Sequence, residues 1–358
     1  GANSYGQLGH GRASNECLSP REVDLSELDL NLGDIVSLAA GGGHSFIVQA
    51  SGHVFGCGLN NAGQLCHQKN TEITKFIPID NLSDRNVIQI SSKWDSTFAL
   101  TRNHECLGWG ANSYGQLGSP PTSLLTTRQP ITLIPYLAQQ VEAGLRHCAI
   151  LTPEGYVMTS GDNRKGQLGH PPSQSFQPVC DLSNVRSVAC GQHHTLALTA
   201  NDRLYGWGCN KFGQLGLNPE LQPNVRSPTE IPVPPGSIDG CTIVLSGWTH
   251  SAMLTGSGTV INWGRNKYGQ LGVPPEQKPN GWKPEVLEDV RKVVQLELGS
   301  EHTLALLEDG VVMSWGWNEH GSCGVNHTQD VTTPRSIQLS GKAMMVAAGT
   351  GHSFAVIH

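Results

Sequence analysis

Six histidines stand in one recurring setting, G-x-x-H followed by a small residue: His44, His147, His194, His250, His302 and His352. Five precede Ser or Thr, and His147 precedes Cys148. Imidazole beside a hydroxyl or thiol is the material of general-base and nucleophilic catalysis, and six imidazoles could make a metal centre. Either chemistry requires the groups to converge on one point. These copies recur at a period near 50 residues, the signature of a repeat architecture in which equivalent residues sit on successive units. Equivalent histidines on different units stand too far apart for one coordination shell. No catalytic residue, metal or cofactor is therefore expected. The six histidines are read as structural, each pinning its own unit by hydrogen bonding.

A second motif keeps the same period. G-x-N-x-x-G begins at Gly1, Gly58, Gly110, Gly161, Gly208, Gly264 and Gly316, and six copies continue as Gln-Leu. In the first copy the second glycine is Gly6; the asparagines of the later copies are Asn60, Asn112, Asn163, Asn210, Asn266 and Asn318. A lone copy could pass for a dinucleotide-binding turn, but seven copies in a strand-rich chain read as structure. Gly allows φ > 0 and close backbone approach, and Asn hydrogen-bonds backbone groups across a turn. The Leu that follows is expected to fill space between units.

The distance from the His slot to the residue before the next G-x-N-x-x-G is 13 in every case, and that residue is Trp109, Trp207, Trp263, Trp315, Cys57 or Ser160. The rest of each repeat varies in length. A fixed half joined through a variable half predicts a rigid unit with tolerant loops. The fixed half reads as a hairpin, as in "TLALT", "ANDR", "LYGWG" (195–208). An apolar run precedes each slot, and a Pro-containing segment suits an outermost strand, whose N–H need not pair. Four strands in each of seven repeats predict an all-β, seven-bladed β-propeller of four-stranded antiparallel blades. It forms a single domain over 1–358, with repeats near 1–57, 58–109, 110–160, 161–207, 208–263, 264–315 and 316–358. The first copy lacks the strand that ends in the Trp-type residue, so the closing blade is expected to be short of its N-terminal strand, in a chain trimmed at that end.

Composition narrows the function. The chain has 29 acidic and 23 basic residues, a formal net charge of −6, with no run of four basic residues. A nucleic-acid surface is not expected. No apolar stretch approaches the length of a membrane helix, so no membrane insertion is expected either. Ten cysteines without C-x-x-C spacing read as buried thiols in a reducing compartment.

Recognition should lie where residues vary on the constant frame. The two residues before each His slot do so: Gly42-Gly43, Trp94-Asp95, Leu145-Arg146, Gln192-His193, Trp248-Thr249, Ser300-Glu301 and Thr350-Gly351. By symmetry they form a ring on one face. The candidate partner-binding residues are Trp94, Asp95, Arg146, Gln192, His193, Trp248, Thr249, Glu301 and Thr350.

The paired motifs G-x-N-x-x-G-Q-L-G and G-x-x-H-[S/T] resemble the RCC1 repeat along the whole chain. Segments outside the repeat, such as "AGLRHCAI" (143–150), "SGWTHS" (246–251) and "SWGWNEHGSCG" (314–324), are similar to its guanine nucleotide exchange factors that regulate secretion. The resemblance independently implies seven blades, and a monomer is expected. It implies a small GTPase as partner, Ran-like or other, an exocyst subunit as a second partner, and a cytoplasmic and nuclear location. Members acting on Ran use acidic and His residues in such slots, which Asp95 and His193 resemble. Two departures weaken a Ran-specific reading. Repeat 3 has no room for the extra hairpin those members carry, and the long segments 10–34 and 217–240 do not read as hairpins. Light sensing, another use of this fold, takes a repeated G-W-R-H-T; only Trp248 stands in that context, with Thr249 in place of Arg.

Overall fold

A computed structural model describes residues 1–68, 71–234 and 240–358. Six four-stranded antiparallel sheets follow one another along the chain, at 35–78, 87–132, 140–178, 185–230, 241–286 and 293–336, here called blades 1 to 6. In each sheet the strands lie side by side in chain order, so every connection is a simple return. Blade 1 comprises Ile35–Ala40, His44–Gln49, Val54–Gly58 and Ile73–Pro78.

The second strand of each blade explains the apolar runs. Strands His194–Thr199 and His250–Thr255 are buried at every position. Each lies inside its own sheet and is packed on both faces by neighbouring sheets, so its two alternating sets of side chains must both suit a core. Outermost strands are more exposed and carry the prolines: Pro130, Pro228, Pro284 and Pro334 lie in them, at an edge where a missing N–H costs no ladder bond. The sequence repeat and the blade are out of phase. Each G-x-N-x-x-G lies between third and fourth strands, so a blade takes three strands from one repeat and its last from the next.

The number of complete blades is six, where the seven repeats predict seven. The remaining strands form two short ladders, Ala343–Ala348 with Ser353–Ile357 and Ala2–Asn3 with Ser14–Glu16. Among the described residues no third strand joins them into one sheet. One backbone bond spans the gap, from Ala2 N–H to Gly351 O at 2.8 Å. It matches the bond from Leu59 N–H to Gly43 O at 2.7 Å in blade 1.

The variable segments stay outside the frame. Residues 10–34 hold Ser14–Glu16 and a single helical turn, Leu32–Asp34, with no hairpin of their own. Of 217–240, the described part supplies the outer strand Asn224–Glu230; 235–239 lie outside the described residues. No helix among the described residues is long and apolar enough to cross a membrane. The nine described cysteines are all free.

Candidate functional site

The two repeated motifs meet at one end of the blades. The residue after the first Gly of G-x-N-x-x-G donates its N–H to the carbonyl just before the His slot: Ala111 to Asp95 at 2.9 Å, Asp162 to Arg146 at 2.9 Å, Cys209 to His193 at 2.7 Å and Arg265 to Thr249 at 3.0 Å. Slots and turns therefore share one face. The turns are braced from within. Asn60 Oδ1 accepts from Leu65 N–H at 2.9 Å and Asn210 Oδ1 from Leu215 N–H at 2.9 Å. Gly6 has φ of 74°, and a Cβ there would stand 2.7 Å from Thr74 Cα. The Leu of each turn, such as Leu65, Leu117, Leu168 and Leu215, is fully buried.

The slot histidines tie one blade to the next instead of pinning their own. The Nε2 of His44 meets Thr97 Oγ1 at 3.1 Å, His147 meets Thr195 at 3.0 Å, and His194 meets Ser251 at 3.2 Å. His250 continues to Thr303 at 3.3 Å, His302 to Ser353 at 3.0 Å, and His352 to Ser45 at 2.8 Å. Those hydroxyls donate onward to turn carbonyls, for example Thr97 to Gln64 O and Ser251 to Gln214 O, both at 2.8 Å. With its proton spent there, the hydroxyl accepts from imidazole, which fixes Nε2–H as the neutral tautomer. Burial pushes His44, His147, His250, His302 and His352 down to about 3, and His194 well below its ordinary value. Such groups are uncharged at neutral pH, and all six are held in interfaces between blades.

The slot glycine is set by the same ring. A Cβ at Gly191 would stand 2.0 Å from His194 Cε1, and one at Gly247 would stand 2.2 Å from His250 Cε1. This accounts for three departures at once. Blade 2 has Ser96 in the His slot, so no ring lies over the glycine position and Lys93 fits there. The hydroxyl that a blade 2 histidine would have met on blade 3 is replaced by Cys148. One missing link between blades 2 and 3 thus explains residues 93, 96 and 148 together.

The candidate ring divides by burial. Trp94, 47% exposed, packs on Trp248 with ring centroids 5.8 Å apart, bringing blades 2 and 5 together over the axis. Asp95, Arg146, Gln192 and His193 are partly exposed. Burial raises the Asp95 carboxyl and lowers His193, the latter opposed by nearby Asp162. Thr249, Glu301 and Thr350 turn inward, against the expectation that the whole ring faces a partner. Glu301 accepts from Thr249 Oγ1 at 2.7 and 2.8 Å and from Gln270 Nε2 at 2.5 Å. Thr350 Oγ1 donates to Gly42 O at 3.0 Å. Their polar atoms are already used to hold neighbouring loops.

The turns supply surface residues that the slot pattern does not single out. Arg146 lies over the Tyr114 ring, 4.4 Å from its centroid, and Arg265 over Phe212 at 4.7 Å. Tyr114, Phe212 and Arg265 occupy the variable positions of G-x-N-x-x-G, a signal present in the sequence but masked by the constancy of the motif, and Arg146 joins them from its slot. Below the face runs an axial channel of about 430 Å³ lined by Gln140, Glu142, Gln295 and Glu297. Lys93 reaches across it and donates from Nζ to Ser246 O at 3.1 Å.

Comparison with known proteins agrees with this architecture. The RCC1-like domain model matches residues 1–355. The chain is 35% identical over 390 residues to the secretion-regulating guanine nucleotide exchange factor of Mus musculus, covering 99% of this chain and 82% of that one. It is 30% identical over 339 residues to the ultraviolet-B receptor of Arabidopsis thaliana, covering 90% and 74%. Prp20p from Saccharomyces cerevisiae, whose structure was described with its binding to Gsp1p and histones, superposes with a TM-score of 0.88 at 24% identity, over 99% of this chain and 89% of that one.

Proposed function

The chain belongs to the RCC1-like domain family, and we propose that it is a guanine nucleotide exchange factor-type regulator that binds a small GTPase through the slot face. The observation that carries this reading is the division of the ring. A rigid frame of buried histidines presents Trp94, Asp95, Arg146, Gln192, His193 and Trp248 on one side. Exchange of this kind involves no covalent chemistry. A face that binds the nucleotide-free GTPase more tightly than the loaded form shifts the equilibrium toward nucleotide release by that difference in affinity. Trp94 and Trp248 supply the aromatic anchor that such interfaces favour, and the partly buried Asp95 and His193 supply polar contacts beside it. The names of relatives at 34–35% identity support a role in regulating secretion, and with it we place the protein in the cytoplasm and nucleus. In this reading the two short ladders stand in place of a seventh blade and close the ring, and the protein works as a monomer.

A scaffold that binds an exocyst-type partner without exchange is the second reading. It is favoured by the lack of any hairpin in residues 10–34. Release of fluorescent GDP from a panel of small GTPases, Ran included, separates the two. Acceleration reduced at least about tenfold by Asp95→Ala, a loss of about 1.4 kcal/mol, supports exchange through this face. No acceleration of any GTPase by the folded protein supports the scaffold.

A further inference from the structure

The net negative charge of the chain conceals a basic arc on the slot face. Blades 3, 4 and 5 supply Arg146, Lys165, Lys211 and Lys267, and among the described residues none of these has a carboxylate within ion-pair distance. The nearby acids are occupied. Asp162 is bound by the Arg164 guanidinium at 2.9 Å, and Glu301 is held by Thr249 and Gln270. Other acids stand at the ends of the arc on the adjoining blades: Asp95 near Arg146 on one side, and Glu319 with Asp330, the latter near Lys267, on the other, none within ion-pair distance of these cations. Several cations are steadied by rings: Arg146 over Tyr114, Lys211 over Phe212 at 5.4 Å, and Lys267 over Tyr268 at 5.2 Å. Stacking of this kind reduces the side-chain freedom lost when the cations meet a partner.

We propose that this arc docks an acidic segment of a partner protein, with an apolar residue of that segment seated against the Trp94–Trp248 pair. This rests on the slot face being the partner face and adds the charge of what it takes. Unpaired cations aligned over three blades attract a negative surface and repel a positive one. A GTPase whose binding surface is itself basic would be disfavoured. The arc suits a peptide better than a nucleic acid. The faces of Tyr114, Phe212 and Tyr268 already carry cations and are not free for stacked bases, and the net charge of −6 opposes an extended polyanion.

The test uses a fluorescein-labelled polyglutamate peptide with one central Phe, followed by fluorescence anisotropy at low and physiological salt. The whole chain should bind it, less tightly as salt rises. The Lys211→Glu, Lys267→Glu double variant should bind at least about tenfold more weakly, while Lys75→Glu, on an outer strand, should bind as the parent does. Lys211, Lys267 and Lys75 are exposed, and a thermal melt of each variant checks that it folds. Equal affinity in the double variant, no binding of the peptide, or tighter binding of a single-stranded oligonucleotide of equal charge would overturn the proposal. Because no GTPase is present, these outcomes are independent of the exchange assay.

Discussion

Acidification should unfold the protein cooperatively with a midpoint near pH 5. Six imidazoles are buried neutral in the interfaces between blades, five of them pushed down to about 3. In the unfolded chain they titrate at about 6.5. Between those values the unfolded state binds more protons, so stability is full above about pH 6.5 and falls as the pH drops. Each imidazole contributes about 2 kcal/mol to the loss between pH 7 and 5, and six contribute on the order of 10 kcal/mol. Burial raises Glu297 to about 7 and also raises Glu142 and Glu301; these act in the opposite direction and offset part of the loss. The remainder is comparable to the whole stability of a typical domain, about 5–15 kcal/mol. Tryptophan emission followed from pH 8 to pH 3 measures it. Native emission persisting below pH 4 would show that the histidines do not stay neutral in the fold.

Trp263→Ala should cost about 3–5 kcal/mol, the usual range for removing a fully buried Trp. Trp109, Trp207, Trp263 and Trp315 are fully buried, and each Nε1–H donates to the Gln carbonyl of the preceding turn at 2.9–3.0 Å. The substitution opens a cavity between blades 4 and 5 and removes a donor from Gln214 O. Urea unfolding reads the loss as a lower midpoint, and a cost under about 1 kcal/mol would mean that the interface collapses around the gap. The chain itself contains two smaller residues at this position, Cys57 and Ser160, each donating to a turn carbonyl. There the space is taken from the outer side of the blade. Phe76 packs where a Cβ on Gly9 would come within 2.6 Å, and Phe176 does the same at Gly118, within 2.5 Å. Trp263→Ala has no such substitute built in.

Much of this was legible from spacing. The constant interval of 13 residues between slot and Trp position gave the hairpin, and the prolines marked the outer strands. The histidine partners were not legible, because a bond from His44 to Thr97 spans 53 residues and appears only when blades stand side by side. Within one repeat each His sits beside its own Ser or Thr, which suggested a local pin. The same difficulty concealed what joins Lys93, Ser96 and Cys148, three departures in two repeats that trace to one absent bond between blades 2 and 3. The blade count differed because a repeat is not a blade: seven motif copies yield six complete sheets and two ladders that share one backbone bond. Within the slot pairs, Thr249, Glu301 and Thr350 vary as freely as Trp94 or His193. Variation alone does not separate a side chain facing a partner from one that braces its neighbour.

Neighbouring residues His193 and His194 test the account most directly. His194 is buried and bonded to Ser251 across a blade interface, while His193 is partly exposed on the candidate face. The measurement is a thermal melt together with GDP release from the responsive GTPase, for His193→Ala and His194→Ala side by side. The account predicts that His194→Ala loses about 2–4 kcal/mol of stability. It predicts that His193→Ala melts with the parent protein and loses most of its exchange activity. A stable His194→Ala, or a His193→Ala that exchanges as the parent does, would contradict the division of this ring into frame and face.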